Sequence, residues 1–179
     1  DAEAVAAVRE LAPLLPSLSG ERVAAEFLRL LAAADPAPVF ERMSAHGVLA
    51  QILPEATALA RLGELVAIEV ARGEAVPLRR LASVLAVKAT GAEAVGRRLR
   101  LSNLDRARLE AMVADGPSPT PALDPLKLRW LLYRQGRELF IDRCLLAWAE
   151  AGRDAKGFAA LADQALGWSK PKLPVRGRD

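Results

Sequence analysis

The chain has 179 residues, enough for one large domain or two small ones sharing a core, and 52% of them are hydrophobic. Aromatics are only 4%, threonine occurs three times and tyrosine once, a composition poor for sheets and favourable for helices. The net charge of +3 is uneven: residues 1–90 carry −2 and residues 91–179 carry +5, so a polyanion-facing second half is expected, although the same charge would also solvate ordinary helices.

The predicted elements follow helical spacing throughout. Val5, Val8, Leu11 and Leu15 form a first stripe. Val23, Phe27, Leu30 and Leu31 form the next, with Ser19 as N-cap and Glu21 near the positive helix end. Asp35-Pro36 restarts the chain as N-cap and first-turn proline, with Val39, Phe40 and Met43 inward and His46-Gly47 as the stop. A short piece runs from Val48 to Leu53. Leu59, Leu62, Val66 and Val70 mark a longer helix closed by Arg72-Gly73.

Pro77 opens another helix carrying Leu78, Leu81 and Leu85, and Val95 and Leu99 mark a short one. Ser102 caps a helix with Leu109, Met112 and Val113 facing in. The proline-rich run from Asp115 to Asp124 forbids regular structure and reads as an exposed loop. Asp124-Pro125 starts a helix with Leu128, Leu131 and Leu132 apolar. Its partner sets Phe140, Cys144 and Trp148 four residues apart. A last helix spans about Asp154 to Leu166, and the chain turns extended and basic from Trp168. The expectation is an all-α array of roughly ten helices in antiparallel pairs, divided into 1–75, 76–167 and an extended basic segment, 168–179.

Residues able to do chemistry are sparse. Metal-dependent phosphoryl or nucleotidyl transfer needs carboxylates gathered on a rigid element, and the sequence has no Asp-x-Asp and no glycine-rich phosphate loop. The single histidine, His46, suits a helix C-terminus. The single cysteine, Cys144, excludes an internal disulfide, reads as a buried inert thiol and fits a reducing, cytoplasmic setting. No apolar run is long enough to cross a membrane. Both ends, at Asp1 and at Arg176-Gly177-Arg178-Asp179, read as cut.

Binding is the better prospect. Arg97, Arg98 and Arg100 cluster, followed by Arg106 and Arg108. Arg134, Arg137 and Arg143 form a second group, preceded by Lys127 and Arg129. Lys170, Lys172, Arg176 and Arg178 form a third beside Trp168. Forked guanidinium donors suit phosphates; each group could equally be a solvated face, with Arg134 or Arg143 paired to Glu138, Asp142 or Asp124.

The stretch LSGERVAAEFLRLL…DPAPVFERMSAHGVLAQILPEA resembles the neck of bacterial tRNA nucleotidyltransferases (CCA-adding enzymes) and poly(A) polymerases. PLRRLASVL, RLRLSNLDRARLEAMV and LRWLLYRQGRELFIDRCLLAWAEAG resemble the helices that follow. This resemblance implies a helical neck and body whose catalytic head domain, bearing the metal-binding Asp pair, is absent here. It implies that Ser19, Glu21 and Arg22, the match to the family's Ser-x-Glu-Arg motif, brace the neck helices without being catalytic. It further implies an RNA partner, the tRNA acceptor and T stem, and magnesium with CTP and ATP for the intact enzyme, the chain itself being inactive. The competing reading is a helical protein-interaction or oligomerisation module.

Overall fold

The computed structural model describes residues 2–171; the candidate site residues Lys172, Arg176 and Arg178 lie outside them. Among the described residues the chain forms eleven α-helices and one 3₁₀ segment, with no strand beyond an isolated bridge between Ala56 and Leu85. The expected all-α array is what forms. The helices are α1 (Ala2–Leu11), α2 (Gly20–Leu31), α3 (Ala37–Ala45), α4 (Val48–Ile52), α5 (Leu59–Ala71), α6 (Pro77–Val84), α7 (Ala89–Arg98), α8 (Asn103–Val113), α9 (Pro125–Gln135), α10 (Arg137–Ala151) and α11 (Phe158–Leu166). The 3₁₀ segment, Ala12–Ser17, joins α1 to α2.

Local chemistry sets most boundaries. The Ser19 hydroxyl accepts from the Arg22 N–H at 3.3 Å, capping α2. Ser102 caps α8 by accepting from the Asp105 N–H at 3.1 Å, and the Asp124 carboxylate caps α9 through Leu126 and Lys127 N–H. Two boundaries shift. Helix α3 begins at Ala37, with the Pro36 carbonyl, not an Asp35 cap, receiving the first helical bonds from Val39 and Phe40. Helix α11 begins at Phe158 and not near Asp154, because Gly157 takes a left-handed conformation (φ 90°) that ends the preceding turn. The 115–124 loop is mostly exposed but buries Pro119.

One hydrophobic cluster runs through the array, from Ala24 of α2 to Ala165 of α11. Helix α5 lies at its centre and packs on α3, α6 and α10; α10 in turn packs on α5, α6, α8, α9 and α11. Phe27 meets Phe40 edge-on with ring centroids 5.6 Å apart. The first stripe is less buried than its spacing implies: Val8 and Leu11 are exposed, and α1 packs chiefly on the 3₁₀ segment. Val70, assigned above to the inward face of α5, is 60% exposed, while the next residue back, Glu69, is fully buried.

That burial belongs to a charge network at the centre of the array. Arg79 donates to Glu69 at 2.9 Å, to Asp142 at 2.9 Å and to Glu74 at 3.0 Å. Arg80 donates to the second Glu69 oxygen at 2.5 Å and, through its Nη1, to the carbonyls of Leu31 (2.6 Å) and Ala33 (2.7 Å) beyond the end of α2. Arg108 reaches Asp142 with two bonds of 2.8 and 3.0 Å. Asp142 is therefore taken by Arg79 and Arg108, not by Arg134 or Arg143. Glu69, Glu74 and Asp142 face Arg79, Arg80 and Arg108, and Arg72 links Glu74 to Asp163, four carboxylates to four guanidiniums, so burial leaves no uncompensated charge. Replacing Glu69 by Gln strips the charge from between two buried guanidiniums; the expected cost is about 3–5 kcal/mol, read as a lower denaturation midpoint with an unchanged denaturant slope.

Cys144 is fully buried on α10. Burial pushes its thiol up to about 12, against the weaker opposing pull of Arg72. At mildly alkaline pH almost no thiolate exists, so a chromogenic disulfide reagent should leave the folded protein unmodified and react fully once denaturant is added. Stoichiometric reaction of the native chain would contradict this placement.

Candidate nucleic-acid interface

The three basic groups of the sequence meet different fates. Arg97 pairs with Glu93 at 2.5 Å along α7. Arg98 grips Glu55 with two bonds, at 2.9 and 2.5 Å, and this guanidinium holds the Glu55 carboxyl below its ordinary range. Arg100 faces Glu21 at 3.6 Å, and Arg106 faces Glu110 at 3.7 Å. Arg108 is committed to Asp142, whose carboxylate raises its pKa. The α7–α8 arginines are thus largely neutralised by acids of the same fold.

Ser19, Glu21 and Arg22 come to lie against this group. Ser19 caps α2, Glu21 faces Arg100, and Arg22 is exposed. Between them Gly20 packs against the Arg98 carbonyl, so closely that a Cβ there would overlap the backbone oxygen. Arg100 sits at φ 49° just beyond α7, where Leu101 N–H returns to the Gly96 carbonyl and Arg100 N–H to the Arg97 carbonyl. This helix ending normally favours glycine. Gly20 and Glu21 therefore set the start of α2 against the end of α7.

Other arginines serve helix ends. Arg61 of α5 donates to the carbonyls of Ser83 (2.6 Å), Leu85 (2.7 Å) and Ala82 (3.3 Å), closing α6. Arg80 does the same for α2, and Arg143 donates to the Ala114 carbonyl beyond α8 at 3.2 Å. The orphaned carbonyls of a helix C-terminus carry partial negative charge, so a cation there is favourable. Half-burial lowers the Arg143 pKa. These roles explain much of the arginine content without any external anion, and periodicity alone gives no sign of them.

Of the three basic groups, what remains among the described residues lies on α9, at Arg137 and in the segment after α11; Arg9, Arg22, Arg42 and Lys156 are further exposed cations without an ion pair, dispersed elsewhere. Helix α9 carries Lys127, Arg129 and Arg134 and no acid, all three exposed. Arg137 begins α10 and makes one long bond, 3.4 Å, to the Leu166 carbonyl. Lys170 stands over the Tyr133 ring at 4.9 Å, and Arg134 over Trp130 at 5.0 Å. Among the described residues none of these five cations has an acidic partner. A cleft of about 640 Å³ opens beside them, lined in part by Arg108, Arg137, Glu138, Trp168 and Lys170. The structure thus brings Arg137 and Lys170 together at the cleft, sets Arg134 beside Trp130 and near Asp115, on the same helix as Tyr133, and keeps Arg97, Arg98 and Arg100 in pairs with acids of the same chain. Trp130 and Tyr133, exposed beside these cations, were not singled out by the sequence reading; the apolar residues Leu126, Trp130 and Tyr133 at helical spacing, opposite Leu128, Leu131 and Leu132, are the signal that could have found them.

No described group of three or more His, Cys, Asp or Glu side chains is gathered to hold a metal ion. The buried carboxylates Glu69 and Asp142 already face arginines. The described residues do not fit magnesium, and no step of nucleotide transfer is assigned to them.

Comparison with known proteins bears on the N-terminal third. Residues 1–59 match the family described as the probable RNA- and SrmB-binding site of polymerase A. The match takes in α1 to α4 and the Ser19–Arg22 segment, and it supports a poly(A) polymerase-like RNA-binding helical region. The chain is also similar to an uncharacterized 28 kDa protein in the petA 5′ region of Rhodospirillum rubrum, 41% identical over 73 residues. That similarity covers 36% of this chain and 28% of the relative's length.

Gly20→Ala tests the contact between α2 and α7. Because the obstructing atom is backbone, the packing has to open, at an expected cost of about 1–3 kcal/mol, visible as a lower melting temperature; an unchanged melting temperature would show that the two helix ends are not held together.

Proposed function

We propose that this chain is an RNA-holding helical region that works with a nucleotidyltransferase head domain adding nucleotides to RNA 3′ ends. The match of residues 1–59 to the RNA-binding site of polymerase A carries this reading. The unpaired cations of α9, Arg137 and Lys170 support it from the other end of the chain, because phosphate contacts need positive charge not already spent on internal acids.

In this reading the chain grips RNA by shape and phosphate, with the tRNA acceptor and T stem as its guest, and orients the 3′ end. Transfer of CMP and AMP from CTP and ATP with magnesium belongs to the head domain, whether for CCA or poly(A) addition. Such work places the protein in the cytoplasm. Ser19, Glu21 and Arg22 act as structural braces, consistent with the pairing of Glu21 to Arg100. A second reading, a protein-docking module, draws on the exposed Val8, Leu11, Leu14 and Leu18 at the N-terminal end.

The test is a tRNA-binding titration over a range of salt concentrations. Affinity should fall linearly on a double-logarithmic plot. Changing Arg129, Arg134, Arg137 and Lys170 together to Gln should reduce the slope by about 3. Changing Arg97, Arg98 and Arg100 should alter it less, since those side chains already have acidic partners. Absence of salt-dependent binding by the unaltered chain would overturn the RNA reading.

A further inference from the structure

The exposed face of α9 is unusual in two respects. Leu126, Trp130 and Tyr133 recur at helical spacing and stand 72%, 49% and 46% exposed, while Leu128, Leu131 and Leu132 fill the buried side. A helix apolar on both sides is ordinarily covered on both. Here the outer stripe is bordered by Lys127, Arg129, Arg134 and Lys170 and by no acid of α9 itself; the acid sharing a depression with Trp130 and Arg134, Asp115, is paired with Lys88 at 3.2 Å. Arg134 and Lys170 rest over the two rings. Lys170 also lines the neighbouring cleft, whose other charged walls are Arg137, Glu138 and Arg108, the last already held by Asp142, so two cations without an ion pair face one carboxylate there.

We infer that this face binds unpaired nucleotides of a single-stranded RNA, their bases stacked on Trp130 and Tyr133 and their phosphates held by Arg134, Arg137 and Lys170. The inference rests on the RNA reading above and adds to it a class of ligand and a surface outside the residues matched at the N-terminus. The pairing of chemistries decides between occupants. A protein partner of ordinary composition would require the cations to be buried against its apolar surface, at a desolvation cost. A duplex would use the cations and leave the rings idle, since its bases are stacked within the helix. Single-stranded RNA satisfies both: its bases present free π faces, and every nucleotide brings a phosphate. An exposed aromatic pair flanked by unpaired cations is the arrangement by which sequence-tolerant single-strand binders work. Arg134 and Lys170, already over the rings, bring charge to where the phosphates of stacked nucleotides would run. The cleft beyond Lys170 offers the strand a path onward past Trp168.

The experiment compares the full chain binding a short fluorescent oligoadenylate with its binding of a blunt RNA duplex of equal length. Trp130→Ala combined with Tyr133→Ala should weaken oligoadenylate binding roughly tenfold or more, leave duplex binding nearly unchanged, and leave the salt slope intact, because stacking removes no counterions. Trp130→Phe with Tyr133→Phe should restore most of the affinity. Oligoadenylate should also quench tryptophan emission in the unaltered protein, and Trp130→Phe should remove most of that quenching. Circular dichroism verifies that each variant is folded. Retained oligoadenylate affinity in the double alanine variant, with duplex binding intact in both proteins, overturns the stacking site while leaving the RNA reading standing. An equal loss on both RNAs also overturns it. So does self-association of the unaltered chain that Trp130→Ala abolishes without changing RNA affinity, which would make the face a protein interface. Failure of the unaltered chain to bind either RNA overturns both readings at once.

Discussion

Glu69 is the point on which the array turns. A carboxylate with no solvent contact has to be balanced on the spot, and it is balanced by two consecutive arginines of α6. Each arginine then ties the pair to a different part of the chain. Arg79 carries the network to Asp142 of α10 and so to Arg108 of α8. Arg80 carries it to the carbonyls that close α2. Five helices are thereby registered against one another by directional bonds, where aliphatic side chains alone would permit sliding. Such a network is weak evidence for net stability, because desolvating the charges consumes most of the attraction. Its geometric demands are strict, and they fix the positions of α2, α5, α6, α8 and α10.

Arginine, not lysine, suits this task. Its planar fork serves two or three acceptors at once and stays charged when buried. The same property is used at helix ends, where Arg61, Arg80 and Arg143 satisfy carbonyls that no further turn can reach. A cation count therefore overstates the surface available to an anion. Once the internal pairs and caps are removed, cations without an ion pair remain, among the described residues, scattered at Arg9, Arg22, Arg42 and Lys156, and five more lie on α9, Arg137 and Lys170, where two aromatic rings stand beside them. The N-terminal match to an RNA-binding family and the surface proposed for RNA lie at opposite ends of the sequence.

The helices, their polar caps and the apolar faces of α2, α6 and α8 were legible because they are local. Ser19, Ser102 and Asp124 cap where their spacing to the next amides dictates, and the run of prolines after Asp115 interrupts helix whatever lies around it. Less local features were misread in informative ways. Val70 falls on the expected inward stripe of α5 yet faces solvent, because the network claims the adjacent position for Glu69. The stripe of Val8 and Leu11 has the right period, but α1 packs chiefly on the 3₁₀ segment and leaves both residues exposed.

The sequence by itself determined that this chain is all-helical, where most of its helices start and stop, and that its second half is the more basic. These follow from interactions spanning a few residues, which periodicity and capping residues record directly. Only the tertiary structure decided what each charge does. Arg79 and Arg80, to which the local pattern assigns no role, are buried; Arg98 belongs to a basic group open to an anion or to solvent and is clamped to Glu55, forty-three residues away; Arg134 belongs to another such group and is left at the surface over Trp130. The Coulomb energy of a side chain depends on which distant groups folding brings within a few ångströms, and no local pattern encodes that distance.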